Sequence, residues 1–301
     1  MTTGGAWGRL APVEISTETV RSLVAEQFPQ WSELPVSPVP DQGNDNRTFR
    51  LGDDLAVRLP SGEGYVAGIA KEDRCLPLVA AHVTAEVPVP IATSAPGAAY
   101  PFPWSVRRWI AGTTADRDPA LDRVALARDL GQFLRELRSV PPGDGPLAGA
   151  HSFHRGAHPS AYGDGVQEAL TQLADRVDVA ACWAIWDEAV RTAWTAAPVW
   201  FHGDVAPGNL LTRDGRLAAV IDFGTCGVGD PACDLVIAWT VLSEAERGVF
   251  RDAVGLPDDV WARARGWALW KALVTVCHPE SHLYAHQARA LDQLIGERSG
   301  T

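Results

Sequence analysis

This sequence of 301 residues has two lysines, no closely spaced pair of cysteines and no long apolar run. Its five cysteines are scattered without a C-x-x-C pair, which excludes a disulfide framework and a zinc ribbon and indicates reduced core residues. No apolar run approaches the roughly 18 residues that a transmembrane helix needs. The first residues contain neither the basic nor the apolar segment of a secretory signal, so we expect a cytoplasmic protein with no membrane partner.

Basic residues are also in deficit. The 26 Lys and Arg residues face 37 Asp and Glu residues, which gives a formal net charge of −11. A nucleic-acid-binding protein needs a net basic face, so we expect no nucleic-acid partner and favour a cationic or metal-bridged ligand. The hydrophobic fraction of 46% and the charged fraction of 21% are those of a globular chain and exclude wholesale disorder.

The first third of the chain predicts a small lobe rich in strands. Ser16 and Thr17 can cap a helix whose apolar residues recur every 3.6 positions. Residues 46–51 and 55–59 predict two short strands, and the Gly-Asp-Asp turn between them indicates a β-hairpin.

A helix and a strand follow the hairpin in the predicted lobe. The helical stretch at about 65–80 puts Glu72 on the same face as three apolar residues, where a carboxylate usually has a buried partner. Residues 104–110 predict a strand, and alternation places four residues on one side of it: Trp104, Val106, Arg108 and Ile110.

The rest of the chain is mainly helical by its periodicity. Two apolar stripes predict helices, one formed by Leu126, Leu130, Phe133, Leu134 and Leu137, the other by Val179, Trp183, Trp186, Val190 and Trp194. A strand pair over 210–221 interrupts the helices, and three or four more follow from Pro231. We therefore place a domain boundary near residue 110.

The most informative stretch is residues 201–209, which read FHGDVAPGN, with IDFG at 221–224. Four residues separate Asp204 from Asn209, the spacing of the kinase catalytic loop, in which the Asp accepts the proton of the substrate hydroxyl and the Asn holds magnesium. Asp222 is the candidate second metal ligand. Hard cations with oxygen ligands neutralise the charge that develops on a transferring phosphoryl group.

Each of these polar residues alone has a plainer interpretation. Asp204 and Asn209 are common turn residues, Asp222 is a common cap, and His202 could satisfy a hydrogen bond in the core. A predicted strand precedes them, however, and a hairpin brings Asp222 to the same edge. The combination favours a phosphoryl-transfer site.

These motifs, with GDPACDL at 229–235, resemble the aminoglycoside phosphotransferase family, the antibiotic kinases with a protein-kinase-like fold. The resemblance extends from about residue 43 to residue 270 and is specific over 201–235. It implies an α+β, two-lobed fold, with a nucleotide-binding lobe at 1–110 and a catalytic and substrate-binding lobe at 111–301. It also implies that Asp204 is catalytic and that Asn209 and Asp222 bind Mg²⁺.

The predicted nucleotide lobe departs from the kinase pattern. Where kinases place a lysine paired with a helix glutamate, this chain has Arg58, which either pairs with Glu72 and holds phosphates or faces solvent. The segment at 42–46 has a single glycine where protein kinases have a glycine-rich loop, and there we assign Asn44 to the nucleotide. By resemblance, Trp109 and Ile110 receive the adenine ring.

The implied function is transfer of the γ-phosphoryl group of ATP or GTP to a hydroxyl of a small molecule, with an aminoglycoside as the favoured acceptor. Other acceptors stay open: a macrolide or cyclic peptide antibiotic, or a metabolite such as choline, homoserine or a sugar amine. A nucleotide-binding pseudokinase scaffold is the alternative of another class. Carboxylates after the metal motif predict an acidic cleft for a cationic acceptor, although solubility alone would explain many of them: Asp230, Asp234, Glu244, Glu246, Asp252, Asp258, Asp259 and Glu280.

Overall fold

The computed structural model describes residues 15–40, 42–43, 45–97, 99–281 and 283–299. They divide into two compact units: the described residues up to Ala81 together with Glu86–Ala111, and His82–Ala85 together with those from Gly112 onward. The first unit is rich in strands and the second is mainly helical, which confirms the predicted α+β class. The assignment of nucleotide binding to 1–110 and of catalysis to 111–301 stays a prediction. Among the described helices, none is long and apolar enough to cross a membrane.

The first unit is built on a five-stranded antiparallel sheet with the strand order β1-β2-β3-β5-β4. Its helices are α1 (Thr17–Gln27) and α2 (Val66–Ala80), and its strands are β1 (Val36–Pro38), β2 (Asn46–Leu51), β3 (Leu55–Pro60), β4 (Pro90–Thr93) and β5 (Ser105–Arg108).

Helix α1 begins where its sequence predicts. The Ser16 hydroxyl accepts a hydrogen bond from the Thr19 N–H at 3.1 Å and so satisfies one of the free donors of the first turn. The apolar face of α1 packs with sheet residues in one buried cluster that includes Val20, Leu23, Val24, Phe49, Leu51, Val57, Leu59 and Val106. The predicted N-terminal helix is confirmed, and one face of the sheet is thereby covered.

Strands β2 and β3 form the predicted hairpin, in register from Asn46 opposite Pro60 to Leu51 opposite Leu55. Strand β5 covers four residues of the stretch predicted at 104–110. On the predicted side Val106 is buried and Arg108 is exposed, and Trp104 and Ile110, just outside the strand, are buried. The other side is also buried, because Arg107, 2% exposed, meets Glu72 of α2 there.

The second unit contains seven helices and five strands among its described residues. The helices are α3 (Arg123–Ser139), α4 (Gly163–Gln172), α5 (Val179–Val190), α6 (Ile237–Thr240), α7 (Glu244–Val254), α8 (Asp258–Val276) and α9 (Tyr284–Ser299). The strands are β6 (Thr113–Thr114), β7 (Val199–Phe201), β8 (Leu210–Arg213), β9 (Arg216–Val220) and β10 (Gly227–Gly229). They form two small antiparallel sheets, β6-β8-β9 and β10-β7.

The predicted apolar stripe is buried in α3, but in α5 the buried face differs from the prediction. All five predicted residues of α3 are buried. In α5 the buried face is instead formed by Cys182, Ile185, Trp186 and Ala189, and Trp194 lies beyond the end of the helix. Most of α5 is apolar, so periodicity alone does not identify which face packs inward.

The β8–β9 hairpin is also confirmed. Its two central turn residues, Asp214 and Gly215, have φ angles of 52° and 75°. Positive φ at both central positions is the requirement of a type I′ turn, which Asp-Gly meets with little strain. The hairpin fixes where β9 ends, and therefore where Asp222 lies.

Helices α3 and α7 pack tightly against each other at Gly131. A Cβ at Gly131 would lie 2.5 Å from the Cβ of Ala253. We expect Gly131→Ala to lower the free energy of unfolding by about 1–3 kcal/mol through overpacking, despite the better helix propensity of Ala.

The matched control is Gly248→Ala in α7, where a Cβ meets nothing within 4 Å. It should be neutral or stabilise by up to about 1 kcal/mol. Urea denaturation of both variants measures the difference, and equal effects would contradict the packing.

Candidate active site

The turn that follows β7 depends on a glycine. Gly203 has a φ of +88°, and a Cβ there would lie 2.8 Å from Thr225 Oγ1 and 2.9 Å from the Thr225 carbonyl oxygen. The Thr225 hydroxyl in turn donates a hydrogen bond to the His202 carbonyl at 2.9 Å. A side chain at Gly203 would be both strained and blocked.

Asp234 holds this turn from beneath. Its carboxylate accepts hydrogen bonds from the N–H groups of His202 at 2.8 Å and Gly203 at 2.7 Å, and the residue is only 2% exposed. Burial raises the pKa of the Asp234 carboxyl, while the hydrogen bonds from the N–H groups of Gly203 and His202 act in the opposite direction. The acidic residue is thus structural here, and it does not face a ligand.

His202 links the turn to the second motif. Its ring is fully buried, packs edge-on against Phe223 at 4.5 Å, and has Nε2 3.0 Å from the Ile221 carbonyl oxygen. Its Nδ1 accepts from the Asp204 N–H at 3.2 Å. These partners assign the neutral tautomer with the proton on Nε2. The interpretation of His202 as a residue that satisfies core hydrogen bonds is therefore correct for its side chain.

Asp204 is presented at the surface of the turn, with its side chain 42% exposed. The Asn209 Nδ2 donates to the Asp204 carbonyl oxygen at 2.9 Å and approaches its Oδ2 at 3.3 Å. The other carboxylate oxygen, Oδ1, lies 3.7 Å from Lys271 Nζ. The carboxylate is oriented by an amide and a cation, and it is open to a ligand.

Asp222 is brought beside Asn209 by one backbone hydrogen bond. The Ile221 N–H donates to the Asn209 carbonyl at 2.9 Å, and Asp222 follows with a φ of 65°. Because Asn209 donates through its nitrogen, its side-chain oxygen is the atom left for a cation. No group of three His, Cys, Asp or Glu residues is clustered for a metal in the described part of the chain. One carboxylate and one amide oxygen nevertheless fit Mg²⁺, which takes few protein ligands and completes its shell with phosphates and water.

In the first unit, Glu72 is shared by two arginines. Arg58 Nη1 lies 3.6 Å from Glu72 Oε1, and Arg107 Nη2 lies 2.7 Å from Oε2. Glu72 is 1% exposed, and the two arginine side chains are 11% and 3% exposed. Arg58 does not face solvent in this unit. Strand alternation explains the pair: in β3 and β5, Arg107 is opposite Ala56, two residues from Arg58 and on the same face.

The positions of Trp109 and Ile110, the other described residues assigned to the nucleotide, do not test that assignment. The Trp109 N–H donates to the Asp54 carbonyl at 2.7 Å, and the Trp109 ring lies under the Arg50 guanidinium at 4.2 Å. Ile110 is buried. Asn44 lies outside the described residues. Their roles at a nucleotide stay predictions.

The cleft beside Asp204 is not acidic, contrary to the expectation from the carboxylates after the metal motif. Asp230 is 4% exposed and pairs with the fully buried Arg263 at 2.6 Å. Burial raises the pKa of Asp230, and Arg263 opposes that rise. Other carboxylates of the predicted set also have basic partners in ion pairs, namely Glu246 with Arg123, Asp258 with Arg251 and Asp259 with Arg263. Beside Asp204 the structure places cations, Lys271 and Arg155, that the sequence did not single out.

The fold and the site together match a known family. A model of a phosphotransferase enzyme family matches residues 36–267, and the chain belongs to this family. It is a phosphotransferase with an alcohol group as acceptor, and the resemblance stated from the motifs is confirmed. Among curated proteins, none matches the chain significantly.

Solved structures share the fold at low identity. The GDP complex of wild-type aminoglycoside 2'-phosphotransferase-IIIa has a TM-score of 0.65 and 17% identity, over 94% of this chain and 100% of that one. The streptomycin–ATP complex of APH(2")-IIa has a TM-score of 0.60 and 16% identity, over 94% and 97%. The macrolide 2'-phosphotransferase MphH from Brachybacterium faecium has a TM-score of 0.60 and 20% identity, over 92% and 97%. At these identities the likeness establishes the two-lobed, kinase-like fold.

Neighbouring arginines in β5 give a matched test of the buried pair. Arg107→Gln would remove the closer of the two arginines that pair with Glu72, so we expect the free energy of unfolding to fall by about 3–5 kcal/mol, the cost of breaking a buried ion pair. Arg108→Gln, at an exposed position, should change it by no more than about 0.5 kcal/mol. Chemical denaturation measures both. A mild effect at Arg107 would show that Glu72 does not depend on it.

Proposed function

We propose that this chain transfers the γ-phosphoryl group of ATP or GTP, with Mg²⁺, to a hydroxyl group of a small-molecule antibiotic. The observation that carries the proposal is the placement of Asp204, Asn209 and Asp222 on one hydrogen-bonded turn and hairpin. Since nucleoside triphosphates are abundant in the cytoplasm, we place the reaction there.

Asp204 is the proposed general base. Its exposed carboxylate can accept the proton of the acceptor hydroxyl as the oxygen attacks the γ-phosphorus, and the Asn209 amide holds that carboxylate in position. Asn209 and Asp222 would hold Mg²⁺, which neutralises charge on the phosphates when bound. Arg58, held by Glu72, would contact the phosphates in place of a lysine, with a bidentate fork instead of a point charge. Trp109, Ile110 and Asn44 remain the proposed contacts to the rest of the nucleotide.

The nature of the acceptor has two lines of support. One similar structure is described as bound to streptomycin and ATP, and another is a macrolide phosphotransferase, so antibiotics of both kinds belong in a test. The aminoglycoside expectation came from the family resemblance. The separate expectation of an acidic cleft for a cationic acceptor is weakened by the basic residues beside Asp204. The metabolite acceptors stay in the panel as comparators. A pseudokinase scaffold is disfavoured because Asp204, Asn209 and Asp222 are all present.

The experiment is a panel of hydroxyl-bearing antibiotics and metabolites, incubated with Mg²⁺ and ATP or GTP and analysed by mass spectrometry for an added phosphate. On a verified acceptor, Asp204→Ala should lower turnover by about 10²–10⁴, the contribution of a positioned general base, and leave nucleotide affinity intact. Asp222→Ala should reduce magnesium-dependent nucleotide binding as well.

The control is Asp214→Asn, in the exposed β8–β9 turn, which should behave like the wild type. Turnover by Asp204→Ala near the wild-type level would overturn the assignment of the base. Finding no phosphorylated acceptor, with nucleotide binding unaffected by Mg²⁺, would overturn the proposed function itself.

A further inference from the structure

A cleft beside Asp204 is lined by groups that donate hydrogen bonds. Besides Asp204, the lining includes Arg155, Trp267, Trp270 and Lys271, and we call these five residues the donor cleft. Trp267, Trp270 and Lys271 all belong to α8, and Arg155 comes from the segment before α4. The α8 side chains therefore face the proposed base from one rigid element.

The two cations of the donor cleft are placed differently. Lys271 lies 3.7 Å from the Asp204 carboxylate and is 27% exposed. The Arg155 guanidinium is surrounded by three aromatic rings, with its central carbon 4.7 Å from the Trp270 ring, 5.5 Å from Trp267 and 5.8 Å from Tyr162. Tyr162 also stacks on Trp270 at 3.9 Å. The aromatic rings hold Arg155 in position and provide a flat wall next to it.

Two buried donors of this cleft have no partner. Arg155 Nη1 and Trp267 Nε1 are shielded from solvent and make no hydrogen bond to the described residues. Trp267 is 2% exposed. A buried N–H without an acceptor is unfavourable, so each such group in a native fold calls for an explanation. A ligand oxygen within reach of these two N–H groups would satisfy them, and an ammonium group would not.

Charge points to the same class of ligand. Of the residues that line the donor cleft in the described part of the chain, Asp204 is the one carboxylate, against two cations. The nearby buried acids do not reach a ligand, because Asp234 binds the N–H groups of the turn and Asp230 binds Arg263. An acceptor with several ammonium groups would meet the cations Lys271 and Arg155, with Asp204 as the single carboxylate lining the cleft.

From these contacts we propose that the donor cleft binds an anionic oxygen group of the acceptor, a carboxylate or a phosphate. This inference rests on the proposed function, since it assigns the acceptor of that same site. Arg155 and Lys271 are then specificity residues: they select a hydroxyl acceptor that is anionic or zwitterionic, and they bring its hydroxyl to Asp204.

The test uses three probes of matched size and different charge: benzoate, benzyl alcohol and benzylamine. Their binding to the full chain is measured by calorimetry in the presence of saturating Mg²⁺ and ADP, so that nucleotide phosphates already occupy the phosphate site. Benzoate should bind the wild type more tightly than benzylamine. Lys271→Gln and Arg155→Gln should each weaken benzoate binding by at least about tenfold, as expected for losing one charged hydrogen bond, without weakening benzylamine.

Controls separate this loss from misfolding. Lys271→Arg should retain benzoate binding, and Arg191→Gln, at an exposed cation beyond α5, should bind all three probes like the wild type. Thermal denaturation of each variant checks the fold. Benzylamine that binds as tightly as benzoate, or benzoate binding that is unchanged in Lys271→Gln, would overturn the proposal.

The acceptor panel distinguishes this inference from the proposed function. If the chain phosphorylates acceptors and all of them are polycations, the kinase function stands and the anionic subsite is wrong. If benzoate binds as predicted but no acceptor is phosphorylated, the proposed function fails on its own. Phosphorylation of carboxylate-bearing and phosphate-bearing acceptors is compared within the panel, which shows which of the two anions the cleft takes.

Discussion

The carboxylate of Asp234, which accepts the N–H groups of His202 and Gly203, is the interaction on which the candidate site depends. Two donors in a tight, buried turn would otherwise be unpaired, at a cost of about 1–3 kcal/mol each. Burying a carboxylate is itself unfavourable, as the raised pKa of Asp234 shows. The two hydrogen bonds to Asp234 offset this unfavourable term, and they also fix the backbone from which Asp204 projects.

Further hydrogen bonds connect that turn to Asn209 and to the residue before Asp222. His202 bonds to the Ile221 carbonyl, and the Ile221 N–H bonds to the Asn209 carbonyl, so the chain on both sides of the β8–β9 hairpin is tied together. Asn209 then bonds to Asp204. These hydrogen bonds thus fix the backbone positions from which Asp204, Asn209 and Asp222 project.

Residues positioned by short-range structure could be predicted from the sequence, whereas residues positioned by contacts between distant segments could not. Asp204, Asn209 and Asp222 could be found because a strand, a turn and an Asp-Gly hairpin place them by short-range rules. Arg107 was missed because alternation was applied to one face of β5, whereas α2 buries the other. Lys271 and Arg155 lie far from the motif in sequence. Only the packing of α8, and of the segment before α4, brings them to Asp204, so no local pattern indicated that the lining is basic.

The most direct test of this account is a double-mutant cycle that measures turnover for Asp234→Asn and Asp204→Ala, alone and combined, on a verified acceptor. If Asp234 acts by placing Asp204, its substitution lowers turnover strongly in the wild-type background and hardly at all once Asp204 is gone. Thermal denaturation of each variant ensures that folded protein is compared. A loss from Asp234→Asn that is equally large in both backgrounds would contradict the account.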